Sequence, residues 1–197
     1  MSLVVDPSSL ETLLTKARSY HGWDPRPIPD ALLHELYDIA KMGPTTANSQ
    51  PMRIVFVRTP EGKKRLEPAL SSTNRGKTMA APVTAIIAYC LDFSLDLPRF
   101  YHVPSANTWY TSTPQLTEQT ALRNSSLQGA YFIIAARAVG LDVGGMSGFA
   151  NEKVDAEFFP DGRTKSNVLV NLGFGGDRSH LHPHMGRRGF EETCSFA

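Results

Sequence analysis

Five short stretches of this chain carry residue types able to hold an anion or a flat heteroaromatic ring. The first is Pro44-Thr45-Thr46-Ala47-Asn48-Ser49-Gln50-Pro51, hydroxyls and amides held between two prolines. Ser, Thr and Asn favour turns on their own account, so a solvated turn is one reading. The other is a donor and acceptor array for a flat ligand, because Asn and Gln each offer both kinds of group. The second stretch is Arg18-Ser19, with His21, at the end of a helical pattern, where an Arg also suits the helix dipole. The third is Asn74-Arg75-Gly76-Lys77, an amide and an ammonium three positions apart, which in isolation reads as a surface turn. The fourth is Met146-Ser147-Gly148-Phe149 in a glycine-rich segment. The fifth is Arg187-Arg188 in the tail, a pair that is solvated by default but able to clamp a phosphate bidentately. His180-x-His182-x-His184 has the alternation that would put three rings on one face of a strand. No cysteine or carboxylate cluster accompanies it, the tail reads as loop, and no metal site is expected.

The elements that must position these residues follow from apolar spacing. Residues 8–20 place Leu10, Leu13, Leu14 and Ala17 at helical intervals, and residues 30–42 do the same with Leu32, Leu33, Leu36, Ile39 and Ala40 before Gly43-Pro44 stops the helix. Residues 53–58, 83–90 and 166–174 are β-branched, strand-forming runs, the second apolar enough to be central. Short helices are expected at 61–70 and 151–158, and a loop at 144–148. Residues 115–139 form the longest helical pattern, with Leu127, Ala130, Tyr131, Ile134, Ala138 and Leu141 on one stripe and Gly140 as the stop.

Between strand and long helix, residues 92–114 show no regular pattern, yet hold Phe93, Phe100, Tyr101, Trp109 and Tyr110 among Pro98, Pro104 and Pro114. Long excursions in compact domains are usually functional or disordered, and the aromatics argue against disorder, so a lid over a ligand is expected. The tail begins at about 177. The whole, 1–197, reads as a single α+β domain without regular βαβ alternation. The glycines from Gly140 to Gly145 follow a helix rather than a strand and fail the test for a dinucleotide turn.

The bulk numbers exclude several classes. A formal net charge of +1 predicts no nucleic-acid footprint, so basic residues must act locally. The longest apolar run, 83–91, is too short to span a bilayer, and residues 1–14 carry no signal-peptide pattern. Two cysteines, Cys90 and Cys194, read as free thiols. A cytoplasmic protein without a membrane or nucleic-acid partner is expected.

Taken in order, these stretches resemble the nitroreductase family over about residues 10–192. The loop 44–51 is similar to the family's P-x-x-x-N-x-Q-P signature, which lies against a flavin ring. The resemblance implies an intertwined homodimer, a mixed central sheet flanked by helices, and FMN held between subunits with NAD(P)H as electron donor. It implies that Arg18, Ser19, Arg187 and Arg188 hold the FMN phosphate. It places Pro44, Thr45, Thr46, Asn48 and Gln50 against the ring, Asn74 and Lys77 near N1 and O2, and Met146, Ser147 and Gly148 at N5. Stretches such as Gly43-Pro44-Thr45-Thr46-Ala47-Asn48 and Arg123-Asn124-Ser125-Ser126 are similar to the branch that reduces malonic semialdehyde in pyrimidine degradation.

There are departures: Ala17 stands where an Arg is frequent, His21 where Arg or Lys is common, and Ser147 where a Glu is frequent. A reduced flavin carries negative charge near N1 and O2, so a cation there makes reduction favourable. Lys77 is expected to supply it, with His21 as helper if protonated. The expected reaction is ping-pong reduction of a small acceptor, malonic semialdehyde to 3-hydroxypropionate, with Arg99, His102 or Arg123 as anchor for a substrate carboxylate. A broad nitroaromatic or quinone reductase and a non-catalytic flavin-binding protein stand as alternatives.

Overall fold

Eight consecutive residues with almost no polar atoms, VTAIIAYC, cannot sit at a wet edge, and they do not. The computed structural model describes residues 4–176 and 178–197, with His180 described by its backbone alone, and this run is the central strand. In chain order the elements are α1 (Pro7–Leu10), continued by a π turn (Glu11–Thr15), β1 (Trp23–Asp24), α2 (Asp30–Ala40), β2 (Met52–Val57), α3 (Pro60–Leu66), α4 (Ser72–Ala80), β3 (Val83–Cys90), α5 (Leu97–Phe100), α6 (Pro114–Ala138), β4 (Asp142–Met146), α7 (Asn151–Phe158), β5 (Thr164–Gly175) and α8 (Phe190–Thr193). The sheet runs β1-β5-β3-β2, with β4 also paired to β5, and all these pairings are antiparallel. The parallel component of the expected mixed sheet is a single bridge, Ser19 to Val143.

Alternation along β3 divides the interior. Ala85 and Ile87 pack with Leu36, Ala40, Phe132, Ala135 and Ala136 under α2 and α6. Ile86 faces the opposite way, with Val57, Leu66, Val154 and Leu169 under α3 and α7. Each of these fully buried Ile and Leu side chains contributes roughly 1.5–3 kcal/mol. The ends of α6 are set locally: Thr113 Oγ1 accepts the Leu116 N–H at 3.1 Å, Pro114 occupies the first turn, and Gly140 follows with φ +83°. Among the described residues, no helix is long and apolar enough to cross a membrane, and Cys90 and Cys194 are both free.

Several expectations need correction. The helix of residues 8–20 ends at Thr15, because the next residues leave it to pair with β4: the Tyr20 N–H donates to the Val143 carbonyl at 2.9 Å. The loop at 144–148 is mostly strand β4; its two glycines lower β propensity, but Gly144 is needed because a Cβ there would lie 2.5 Å from the Tyr20 carbonyl oxygen. Residues 72–80 form a helix whose buried members are Asn74 and Thr78, so apolar periodicity could not reveal it. On α6 the stripe through Leu127, Ala130 and Tyr131 is exposed, while Ala121, Asn124, Ser125, Gln128 and Phe132 face the sheet.

The excursion at 92–114 is not a free flap. Phe93 packs with Tyr89, Ala121 and Tyr110, and Leu97 and Ala106 are buried, which leaves Phe100 and Trp109 as its exposed aromatics. The start of the tail, Asp177, lies outside the described residues, as do Met1–Leu3.

Candidate functional site

Two groups of the residues singled out above assemble, at different ends of α6. The first forms around the extended segment 18–21. Tyr20 is buried and bonded to β4, and its neighbours Arg18, Ser19 and His21 line a cavity of about 320 Å³. The remaining charged or titratable lining comes from Arg137 at the end of α6 and from His182, His184 and Arg187 of the tail; among the described residues no acidic side chain lines it. Arg137 is the guanidinium that Ala17 does not supply, and its Nη1 is fixed by the Leu13 carbonyl at 2.8 Å. The Arg18 Nη2 donates to the carbonyl of His182, which draws the tail onto the cavity. Arg187 donates to the carbonyls of Met185 and Gly186, and Arg188 is exposed and outside the lining. Such a surround of cations and N–H donors fits a phosphate.

Beside this cavity stands α4. The Asn74 side-chain N–H donates to the Gly148 carbonyl at 2.9 Å, and a Cβ on Gly148 would lie 2.7 Å from that amide nitrogen, so the loop after β4 rests against α4 only because residue 148 is glycine. Ser147 and Gly148 are exposed; Met146 is buried, its sulfur accepting from Thr78 Oγ1, so only its backbone is open to a ligand. The carbonyl of Lys77 is held by Trp23 Nε1 at 3.1 Å and Asn171 Nδ2 at 3.4 Å, which fixes the root of its half-buried side chain. Lys77 and His21 are neighbours. Burial, then the Lys77 ammonium, then His182 push the His21 pKa below its usual value. These influences work against the charged form of His21, whereas the expected role for it was that of a second cation beside Lys77.

The second group is the loop 44–51. Ala47, Asn48 and Gln50 all adopt left-handed backbone, with φ of 48°, 51° and 43°. Three such residues in four positions, none of them glycine, require the surroundings to over-determine the loop. They do: Asn124 Oδ1 accepts the Thr46 N–H at 2.7 Å, Gln128 Oε1 accepts the Met52 N–H at 3.0 Å, and Thr45 Oγ1 accepts the Gln50 N–H at 3.2 Å. Asn48 Nδ2 donates to the Phe100 carbonyl, which ties the loop to the excursion. Pro44, Thr46 and Asn48 remain exposed. Asn124 and Gln128 were not singled out from sequence; two polar residues on the inward face of a helix were the available signal.

The anchors of the two groups, Asn124 and Arg137, are thirteen residues apart on one helix, about 20 Å along its axis. Of the three candidate substrate anchors, Arg99 lies in α5 beside the loop 44–51, His102 is exposed with its ring 4.4 Å from that of Tyr101, and Arg123 is exposed on α6 outside both cavities that Arg18 and Arg99 line. For the three-histidine reading, the His180 side chain lies outside the described residues. Among those described, no group of His, Cys, Asp or Glu could hold a metal.

Solved structures share this fold. The chain superposes on a protein assigned as a nitroreductase of Bacillus subtilis with a TM-score of 0.87 at 20% identity, over 98% of this chain and 100% of that one. A protein assigned as a nitroreductase of Exiguobacterium sibiricum, solved in complex with FMN, gives 0.87 at 18% identity over 100% and 99%. One assigned as an NAD(P)H:FMN oxidoreductase of Staphylococcus epidermidis gives 0.82 at 18% over 100% and 99%. At these identities the likeness speaks for the fold. The sequence model described as the nitroreductase family matches residues 14–174, from the segment that carries Arg18 to the end of the central sheet, and the chain therefore belongs to the nitroreductase family.

Proposed function

We propose that this protein is an FMN-dependent NAD(P)H oxidoreductase that works as a homodimer, and that its acceptor is malonic semialdehyde, reduced to 3-hydroxypropionate. The observation that carries the reading is the pairing of a cavity lined by Arg18, Arg137 and Arg187, with no acidic side chain among its described residues, with Lys77 and Asn74 on the adjacent helix. Arg18, Arg137 and Arg187 would hold the phosphate of FMN. Asn74, the backbone at 147–148 and Lys77 would take the polar edges of its ring system. When bound, FMN supplies hydride acceptance from the nicotinamide and hydride return to the second substrate. Lys77 keeps a positive charge where negative charge accumulates, and needs no proton transfer to do so.

The anchor of loop 44–51, Asn124, stands about 20 Å along α6 from the phosphate anchor Arg137, which favours a ring contact made by the loop of a second copy. The exposed side chains Leu122, Leu127 and Tyr131 of α6, with Tyr37, Ile39 and Met42 near α2, form an apolar surface of the kind that marks an association site. A second copy docked there would bring its own loop to the first copy's Lys77, in line with the isologous dimers typical of soluble oligomers. Oxidised nicotinamide leaves before the acceptor enters the same space, hence ping-pong kinetics.

The test is anaerobic. FMN-loaded protein is reduced with NADH or NADPH, malonic semialdehyde is added, and flavin absorbance is followed. Rapid reoxidation with 3-hydroxypropionate as product supports the reading. Reduction followed by reoxidation only with a nitroaromatic or quinone replaces it with a broad reductase, which the exposed Phe100 and Trp109 would favour by stacking on a flat acceptor. No reduction by either nucleotide leaves a non-catalytic flavin-binding protein.

A further inference from the structure

Behind the loop 44–51 lies a second, smaller cavity of about 200 Å³, walled by Ser49 and Gln50 of the loop, Arg53 of β2, Asp96 and Arg99 of the excursion and Gln128 of α6. We propose that it is a carboxylate-binding site, taking a short aliphatic acid through Arg53 and Arg99 with Ser49 and Gln128 as neutral donors. The first ground is charge. Two guanidinium groups face one carboxylate, and Asp96 stands 3.6 Å from Arg53 and 3.7 Å from Arg99, too far to be a hydrogen bond to either. Arg53 is held in place through Nη1 by the carbonyls of Gln50 at 3.2 Å and Met52 at 3.0 Å, while its Nη2 faces Asp96 beyond hydrogen-bond distance.

The second ground is independent of charge. Ser49 is 3% exposed, and its hydroxyl has no hydrogen-bond partner among the described residues, a condition that buried polar groups seldom keep unless a ligand or water completes it. Gln128 is equally buried; its oxygen is occupied by the Met52 N–H, so what it has left to offer is its N–H pair. A small cavity with surplus donors and a net positive lining suits a carboxylate and disfavours its neutral amide. Because it shares Ser49 and Gln50 with the loop assigned above to the flavin, it would fix the carboxylate end of the acceptor. The inference rests on the proposed function only for what the other end of that ligand does.

The experiment titrates the purified protein, with and without FMN, with propionate and with propionamide, followed by ligand-observed NMR. Wild type should bind propionate and not propionamide. Arg53→Gln and Arg99→Gln should each weaken propionate by about tenfold or more and Ser49→Ala by roughly threefold, while Arg65→Gln, in a surface ion pair with Glu157, leaves it unchanged. Arg99 is exposed, so its substitution tests the site even if Arg53→Gln disturbs the loop. Equal binding of the amide, propionate binding that survives Arg99→Gln, or a loss seen also in Arg65→Gln would overturn the assignment. Propionate held by Arg99 in a protein that malonic semialdehyde cannot reoxidise would instead remove the aldehyde reading and leave the carboxylate site standing.

Discussion

The cavity at Arg18 and the loop 44–51 are built on opposite principles. The first is electrostatic: its cations sit on a helix end, an extended segment pinned to β4, and a tail drawn in by one guanidinium. The second is conformational: a left-handed backbone fastened by two inward-facing amides of α6, with little charge of its own. A site for a charged group can be assembled from far-apart segments, because charge acts at a distance and tolerates loose geometry. A site for the edge and face of a ring needs atoms fixed to a fraction of an ångström, which strain and multiple anchors provide. Their anchors on α6, Asn124 and Arg137, stand about 20 Å apart along the helix, and the proposed two-copy site rests on that separation.

The largest expected effect tests the electrostatic half. Lys77→Met should slow flavin reduction by NAD(P)H about 100-fold or more, measured by stopped-flow absorbance, with FMN still bound through the arginines. A slowing of less than about fivefold would mean that the developing charge is met elsewhere.

The second prediction tests the separation itself. Lys77→Met and the double variant Asn48→Ala/Gln50→Ala should each be nearly inactive as homodimers. Subunit exchange between them should restore about one quarter of wild-type activity, since half the dimers would carry one intact site. No recovery on confirmed exchange would return both regions to one chain.

The third concerns what makes α4 rigid. Lys63 is 6% exposed, and its ammonium donates to the Thr78 carbonyl at 2.8 Å and Thr84 Oγ1 at 2.7 Å, at the C-terminal end of that helix. Burial pushes its pKa down to about 8 from 10.5. The folded chain therefore holds this proton less tightly than the unfolded chain. The destabilisation is complete below pH 8 and is relieved as pH rises toward 10.5. Urea unfolding should show a gain of about 3 kcal/mol from this group across that window, absent in Lys63→Met. A wild-type profile parallel to that of the variant would show that Lys63 keeps an ordinary pKa.

The smallest effect is conformational. Ala47 has φ 48° and ψ 31°, so Ala47→Gly should raise stability by a few tenths of a kcal/mol, the relief of left-handed strain slightly exceeding the added chain entropy. Denaturant midpoints measure it, and a fall in midpoint would mean that the alanine methyl packs usefully.

By itself the sequence determined the elements whose apolar residues repeat with a period. Strand β3 and helix α7 occupy the expected residues, and α2 and α6 differ at their ends only; for β3, burial of nearly the whole run leaves little choice of conformation. The motif residues were legible too, as residue types in order. Only the tertiary structure decided what periodicity does not encode. It formed α4 around buried Asn74 and Thr78 and made β4 a strand through two glycines. It turned Leu127 and Tyr131 outward by burying the polar face of α6 against the sheet, and it brought Arg137 and His182 to Arg18 from more than a hundred residues away. In each case a hydrogen bond or a close backbone approach, satisfied only by a distant segment, outweighed the local preference of the chain.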